Sequence, residues 1–218
     1  YEITCRDWSS DVCSSDLRFE AADGEHIAKV LKYSPKTSEI ELGIIGVSEI
    51  KELSPKRYFL NTGSPHLVIF VDNLKDYDVI GQGRLWRHSP IFPNGTNVNF
   101  VQGGWGKDSS GWSSSLEPGN ILEISVRTFE RGVEDETFAC GTGVTASAIA
   151  YHRLLSKNLK GRYSGSPSFP LAINSKVKAL GGELEVSFAH LGDDNYNNVL
   201  LKGPATFEIG RASCRERV

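Results

Sequence analysis

The sequence has no excess of charge of either sign. Its 218 residues carry 24 Lys and Arg against 27 Asp and Glu. There is no basic surplus to drive sequence-independent binding to nucleic acid, and no acidic block of the kind that marks a tail. We therefore expect a small-molecule partner and no nucleic acid.

Long apolar runs are also missing. A run such as Leu67–Val71 is far shorter than the roughly 20 residues that a membrane-spanning helix needs. The first residues lack the basic and then apolar layout of a signal peptide. We expect a cytoplasmic protein with no membrane partner, and the composition, 39% apolar and 23% charged, is ordinary for a globular chain.

Cysteine is scarce, and three of the four cysteines lie in terminal segments, residues 1–17 and 209–218. Both segments can be back-translated into strings that resemble the two adapters flanking an insert in a sequencing library. We predict that they are not native protein; the alternative is a genuine Ser-rich arm and a basic tail. The remaining thiol, Cys140, is either a small buried hydrophobe or a reactive group.

Alternating apolar and polar residues predict strands along most of the chain. The first two form a hairpin in residues 18–33 around Asp23-Gly24, a dipeptide typical of tight turns. Further strands are predicted at SEIELGII, RYFLN, LVIFVD, NVNFV, ILEISVRTFER, PLAIN, ELEVSF and VLLKGPATFEI. Residues 73–88 form a weak helical pattern interrupted by two glycines, RGVEDET is predicted as a turn, and residues 102–120 read as a Gly/Ser/Trp-rich loop.

One strong helix is predicted from Thr142 onward. Val144, Ala148, Tyr151 and Leu155 recur at helical spacing, and the Ala and Ser residues between them allow close packing on all sides. Many strands and one closely packed helix predict an α+β fold, in which a curved mixed sheet wraps around a central helix.

Cys140 lies between the end of a strand and the first turn of that helix. Free N–H groups and the positive end of the helix dipole are found at such a position, and both are expected to lower the pKa of the thiol. The N–H groups of Gly141, Thr142 and Gly143 are also placed to bind a carboxylate. The alternative is that Cys140 fills a gap in the core and the glycines only turn the chain.

Four segments resemble those of the diaminopimelate epimerases, in the same order and at the same spacing. FERGVEDETFACGTG resembles the second cysteine motif of that family, and NTGSPHLVIFVDNL its Gly-Asn-Pro-His segment and the strand after it. GTNVNFV resembles an Asn-containing strand, and VLLKGPATFEI the closing strand. The resemblance covers residues 18–208 and implies the fold of that family.

The resemblance also implies roles for single residues. The catalytic residues would be Cys140, His66 and Glu130. The substrate-binding residues would be Ser64, Asn97, Glu130, Arg131, Gly141 and Thr142. Ser64 stands where the family usually has Asn, so a hydroxyl group or a water would replace an amide contact. Structural alternatives are a turn histidine for His66, a strand-end cap for Asn97, and a surface ion pair for Glu130 and Arg131.

The family interconverts LL- and meso-diaminopimelate without a cofactor, by proton exchange between two thiols on opposite faces of the α-carbon. The second thiol lies in a Cys-Gly-Asn-Gly segment of an N-terminal domain, and this segment is absent from the sequence. We therefore expect an amino-acid substrate, no cofactor, no metal, and no activity from this chain alone. A homodimer remains open.

The same resemblance divides the chain into parts. Residues 18–56 are expected to be a remnant of the N-terminal domain, residues 57–199 a nearly complete second domain, and residues 200–208 a strand that returns to the first. Two other functions remain open: an enzyme like proline racemase or hydroxyproline epimerase, and a non-catalytic ligand-binding fragment.

Overall fold

The computed structural model describes residues 16–21, 24–34, 37–103, 121–159 and 171–205. Residues 1–15 of the first terminal segment, the whole of the second (209–218), most of the predicted Gly/Ser/Trp-rich loop, and residues 206–208 of the predicted closing strand lie outside these residues. Strand β1 begins at Asp16, inside the segment predicted to be non-native, and Leu17 pairs with Ala28 of the next strand.

The described residues form twelve strands and two helices. The strands are β1 (Asp16–Ala21), β2 (Gly24–Lys32), β3 (Ser38–Ile44), β4 (Ile50–Ser54), β5 (Arg57–Asn61), β6 (Pro65–Phe70), β7 (Asn97–Gly103), β8 (Ile121–Glu130), β9 (Asp135–Thr137), β10 (Leu171–Ala179), β11 (Gly182–His190) and β12 (Tyr196–Ala205). The helices are α1 (Val79–Arg87) and α2 (Gly141–Leu159). The predicted hairpin of β1 and β2 is confirmed, and so are the predicted strands over the residues that the structure describes.

The strands form one mixed sheet. Their order is β1-β2-β3-β12-β11-β10-β8-β7-β6-β5-β4, and β9 pairs with β8 outside this path. Neighbours are antiparallel except for β6 with β7 and β8 with β10. A parallel pair needs a crossover connection, and the two helices lie in these crossovers, α1 between β6 and β7 and α2 between β8 and β10.

Helix α2 is the centre of the larger core. It contacts strands on both sides of β8, from β5 through to β12, and the predicted apolar residues Val144, Ala148, Tyr151 and Leu155 are all buried. Its buried hydroxyl groups bond within the helix; for example, Ser147 Oγ donates to Gly143 O at 2.7 Å. The helix can therefore be buried on all sides at little cost in unmet hydrogen bonds.

Strand β6 is buried on both faces, as its unbroken apolar run predicts. Val68 and Phe70 belong to the core around α2, while Leu67 and Ile69 belong to a second core under α1. The sheet at β6 therefore separates two apolar layers, and its polar end residues lie at the edge of both.

The weak helix is shorter than predicted, because α1 begins only at Val79. The preceding Asp78 caps it by accepting a hydrogen bond from the Gly81 N–H at 2.9 Å. The glycines do not interrupt the helix: a Cβ at Gly83 would overlap the ring of Phe129, so glycine lets α1 pack closely on β8.

Two strands lie where none was predicted. Strand β9 falls in the segment predicted as a turn, and Asp135 pairs with Glu130 of β8. Strand β4 is an edge strand that forms a hairpin with β5, in which Ser54 pairs with Arg57. The expected domain boundary after residue 56 falls in the turn of this hairpin, and the domain division stays a prediction.

Candidate active site

The candidate site lies at one edge of the sheet, beside the N terminus of α2. Parallel strands β6 and β7 both begin at this edge, where His66 and Asn97 are in register. Strand β8 runs antiparallel to β7 and ends at the same edge with Glu130. Cys140 immediately precedes α2, and its carbonyl accepts the N–H of Val144 at 2.8 Å, the first hydrogen bond of the helix.

The pKa of the Cys140 thiol is raised, so the lowered pKa expected from its position at the helix start is wrong. Burial is the largest cause, and the charge of Glu130 acts in the same direction. Hydrogen bonds from the Thr142 hydroxyl and from the N–H groups of Gly143 and Thr142 lower the pKa, but they do not outweigh burial. Cys140 therefore rests as the protonated thiol near neutral pH.

His66 is fully buried and has hydrogen-bond partners on both ring nitrogens. Nε2 lies 2.9 Å from Ser64 Oγ and 3.0 Å from Thr142 Oγ1, and Nδ1 lies 3.1 Å from Asn99 Nδ2. Burial lowers the pKa of His66 to about 3, with a further contribution from the charge of Arg131. The ring is therefore neutral near pH 7.

Thr142 connects the histidine to the thiol. Its Oγ1 lies 3.5 Å from Cys140 Sγ and 3.2 Å from Ser64 Oγ. Its carbonyl accepts the hydroxyl of Thr62 at 2.9 Å, which ties the first turn of α2 to the loop before β6. Ser64, which replaces the usual Asn of the motif, thus contacts other site residues through its hydroxyl.

Asn97 links β7 to the end of β8. Its Oδ1 accepts the backbone N–H of Arg131 at 2.9 Å, and its Nδ2 donates to Ser64 Oγ at 3.3 Å and Pro65 O at 3.1 Å. The guanidinium of Arg131 donates to Asn94 O at 3.1 Å. In the part of the chain that the structure describes, no ion pair joins Arg131 to Glu130.

The structure thus brings all the residues predicted for the site into one region. Sequence reasoning missed three residues: Asn99, Thr128 and Thr62. Asn99 is two residues from Asn97 and therefore on the same face of β7, and Thr128 is its cross-strand partner on β8. Alternation along NVNFV was the signal that could have identified Asn99.

This arrangement suits proton transfer at a carbon atom bound next to Cys140. The site combines a thiol, a nearby carboxylate and several hydrogen-bond donors fixed by the fold. Among the described residues, no group of three or more His, Cys, Asp or Glu side chains is arranged to hold a metal ion. Neither described helix has the length and apolarity to span a bilayer.

Comparison of the coordinates with solved structures shows two relatives by fold. A phenazine biosynthesis protein of the PhzF family from Bacillus anthracis has a TM-score of 0.51 at 11% identity, covering 89% of this chain and 67% of that one. A hydroxyproline epimerase from Agrobacterium vitis has a TM-score of 0.51 at 13% identity, covering 89% of this chain and 59% of that one. At such identities the likeness shows the fold alone.

Sequence comparison gives closer relatives. Diaminopimelate epimerase from Flavobacterium psychrophilum is 35% identical over 198 residues, which are 90% of this chain and 64% of that protein. The enzyme of that name from Aquifex aeolicus is 48% identical over 144 residues, 63% of this chain and 46% of that protein. The chain thus spans about half to two thirds of their lengths.

The family model for diaminopimelate epimerase matches residues 58–208. The match includes Cys140 and every other residue that the site brings together at the sheet edge. With the sequence relatives, it shows that this chain belongs to the diaminopimelate epimerase family.

Proposed function

We propose that this chain is the Cys140-bearing part of an enzyme that interconverts LL- and meso-diaminopimelate by proton exchange at the α-carbon. The observation that carries the proposal is the position of Cys140. Its thiol lies at the start of a buried helix, within reach of the Thr142 hydroxyl and two backbone N–H groups, in a segment that matches the family model.

The reaction requires help because the α-proton of an amino acid is a very weak acid. A thiolate on one face of the α-carbon removes the proton, and a thiol on the other face returns one. Negative charge then develops on the substrate carboxylate. The N–H groups of Gly141 and Thr142 would hold this carboxylate and stabilise that charge, because they are already oriented before the reaction begins.

Glu130 has two roles in this proposal. In the resting site its charge helps keep Cys140 protonated. The cationic ammonium group of the substrate, bound next to Glu130, would offset that charge and favour the thiolate only when substrate is present. His66 would stay neutral and act through its hydrogen bonds, while Asn97, Arg131 and Ser64 would complete the substrate shell.

Cys140 supplies one of the two thiols. It is the only cysteine in the described part of the chain, and the sequence contains no Cys-Gly-Asn-Gly segment, so the opposing thiol would come from an N-terminal domain that carries such a segment. We expect no epimerisation by this chain alone.

The test joins the N-terminal domain of a close relative in frame before Arg18. Diaminopimelate is incubated in deuterated water, and both α-deuterium incorporation and stereoisomer composition are measured. We expect epimerisation by the joined protein and none after Cys140→Ala. Proline and hydroxyproline serve as control substrates. Binding of diaminopimelate without any exchange would favour a non-catalytic ligand-binding protein, and robust epimerisation by the chain alone would contradict the two-thiol proposal.

A further inference from the structure

The contact of His66 Nδ1 with Asn99 determines which ring nitrogen carries the proton. Asn99 Nδ2 lies 3.1 Å from His66 Nδ1 and 3.3 Å from Leu67 O. A carbonyl oxygen only accepts, so the contact with Leu67 orients the amide with its NH2 group toward the histidine. At the other end of the amide, Oδ1 accepts the hydroxyl of Thr128 at 3.0 Å. Nδ1 is therefore an acceptor, and the neutral ring carries its proton on Nε2.

With the proton on Nε2, the donors and acceptors among His66, Ser64 and Thr142 follow in a defined order. Ser64 Oγ accepts from His66 Nε2 at 2.9 Å and from Asn97 Nδ2 at 3.3 Å. Since both lone pairs of that oxygen are used, its own proton is available to Thr142 Oγ1 at 3.2 Å. Thr142 Oγ1 also lies 3.0 Å from His66 Nε2, so its proton is left for Cys140 Sγ at 3.5 Å.

We propose that Asn99 is a positioning residue, which holds the proton of His66 on Nε2 and thereby directs the hydroxyl proton of Thr142 toward the sulfur of Cys140. In the opposite tautomer, Nε2 would become an acceptor and would draw a hydroxyl proton to the ring. The sulfur would then lose a donor that stabilises its thiolate form. Asn99 acts through His66 and does not itself contact the reacting atoms.

This inference rests on the proposed function only for the role of Cys140 as an acid and base. The directions of the hydrogen bonds are a property of the resting protein, so they can be measured without an activity assay. A protein with these directions but no epimerase activity would contradict the proposed function and leave the inference intact.

The first test is the tautomer of His66, measured at pH 8 by nitrogen NMR on the full, uniformly labelled chain. The chain has five histidines, and sequential backbone assignment connects each ring to its residue, so the signals of His66 are identified without a variant. We expect a protonated Nε2 and an unprotonated Nδ1. A proton on Nδ1 in the unchanged chain overturns the proposal, and this holds whether or not any variant folds.

Two buried substitutions then test the cause. In Asn99→Asp, an ionised carboxylate accepts and cannot donate, so we expect the proton to appear on Nδ1. The matched control is Thr128→Val, which removes the bond to the far end of the amide and leaves both contacts of Asn99 Nδ2 in place; its tautomer should match that of the unchanged chain. An unprotonated Nδ1 in Asn99→Asp, or a changed tautomer in the control, overturns the role of Asn99.

The last step is tested by alkylating Cys140 with iodoacetamide across a range of pH. Peptide mass spectrometry distinguishes Cys140 from the other three cysteines. Thr142→Val removes the donor, so we expect alkylation at neutral pH to slow by about tenfold, the effect of losing one hydrogen bond to a charged group. Thr142→Ser should restore the rate. Equal rates in all three proteins would show that the hydroxyl proton is not directed at the sulfur.

Discussion

His66 Nε2 and Thr142 Oγ1 lie 3.0 Å apart, although 76 residues separate them in the chain. His66 belongs to a strand that is buried on both faces, and Thr142 to the first turn of the central helix. The contact therefore fixes the start of the helix against the sheet edge. The position of Cys140, two residues before Thr142, depends on this packing as well as on the loop that precedes it.

Gly143→Ala should disturb the site from within the core. A Cβ at Gly143 would overlap Asn99 Oδ1 and lie 3.3 Å from the Cβ of Cys140. Because the Asn99 amide is held by hydrogen bonds at both ends, it has little freedom to move. We expect a loss of about 1–3 kcal/mol in the free energy of unfolding, as for other overpacked cores, measured by urea denaturation.

The control for this prediction is Gly141→Ala in the same turn. Its Cβ would meet only the end of the Leu201 side chain, at 2.9 Å, and a methyl group at the end of a flexible side chain can shift. Alanine is also favoured over glycine in a helix, so the stability should change by less than about 0.5 kcal/mol. Equal losses in both variants would count against the role of Asn99 in the packing.

Acid should destabilise the protein through two buried histidines. Burial lowers the pKa of both His66 and His152 to about 3, against 6.5 for a histidine exposed to water. Between these values the unfolded chain binds more protons than the folded one, so stability is complete above pH 6.5 and is lost as the pH falls toward 3. Each histidine should contribute a slope of about 1.4 kcal/mol per pH unit in this window.

His152→Gln tests this expectation, because His152 is far along α2 from the candidate site and contacts Tyr196 and Ser156. The free energy of unfolding, measured from pH 8 to pH 4, should fall less steeply in the variant by about the slope of one histidine. Measurement at pH 8, where the ring is neutral in both states, gives the cost of the substitution itself. Parallel curves for the two proteins would refute the assignment.

Sequence patterns predicted the strands and the central helix well, because those elements are specified locally. The helical spacing of Val144, Ala148, Tyr151 and Leu155 appears in the sequence and in the core alike. The strand at Asp135–Thr137 escaped prediction because it is short and polar and exists only by pairing with β8. Helix α1 begins later than the weak helical pattern of residues 73–88 predicts. It begins at Val79 because the preceding Asp78 caps it there.

The members of the candidate site were predicted by resemblance, but its electrostatics were not. The position of Cys140 before a helix suggested a lowered pKa for the thiol. The structure adds burial by distant strands and the charge of Glu130, both of which raise it. Asn99 was missed for a similar reason: its role depends on contacts with β6 and β8, which no local pattern reveals.

Glu136→Gln should destabilise the segment that leads to the site. Arg127 forms two hydrogen bonds with this carboxylate, at 2.6 Å from Nε and 2.7 Å from Nη2, and its Nη1 donates to Leu74 O and Tyr77 O. Both side chains of the pair are mostly buried, so removing the charge leaves the guanidinium poorly compensated. We expect a loss of about 2 kcal/mol in the free energy of unfolding.

An exposed ion pair provides the comparison. Lys56 and Asp72 are joined at 2.9 Å, with side-chain exposures of 50% and 80%, and water screens such pairs. Asp72→Asn should therefore cost less than about 0.5 kcal/mol. Similar losses for the two variants in urea denaturation would show that the Arg127 pair adds no more than a surface contact.

Removing one thiol should abolish inversion but not all proton exchange. In the protein joined to an N-terminal domain, Cys140→Ala leaves the opposing thiol, which reaches only one face of the α-carbon. That thiol can remove and return a proton on its own face, so one stereoisomer should incorporate deuterium without changing configuration. Inversion needs a proton delivered to the other face, and it should fall by about 10²- to 10⁴-fold or more, as expected for the loss of a positioned acid and base.

Deuterium incorporation and configuration are measured separately for LL- and meso-diaminopimelate. Equal exchange into both stereoisomers, or inversion at an undiminished rate, would remove Cys140 from the mechanism.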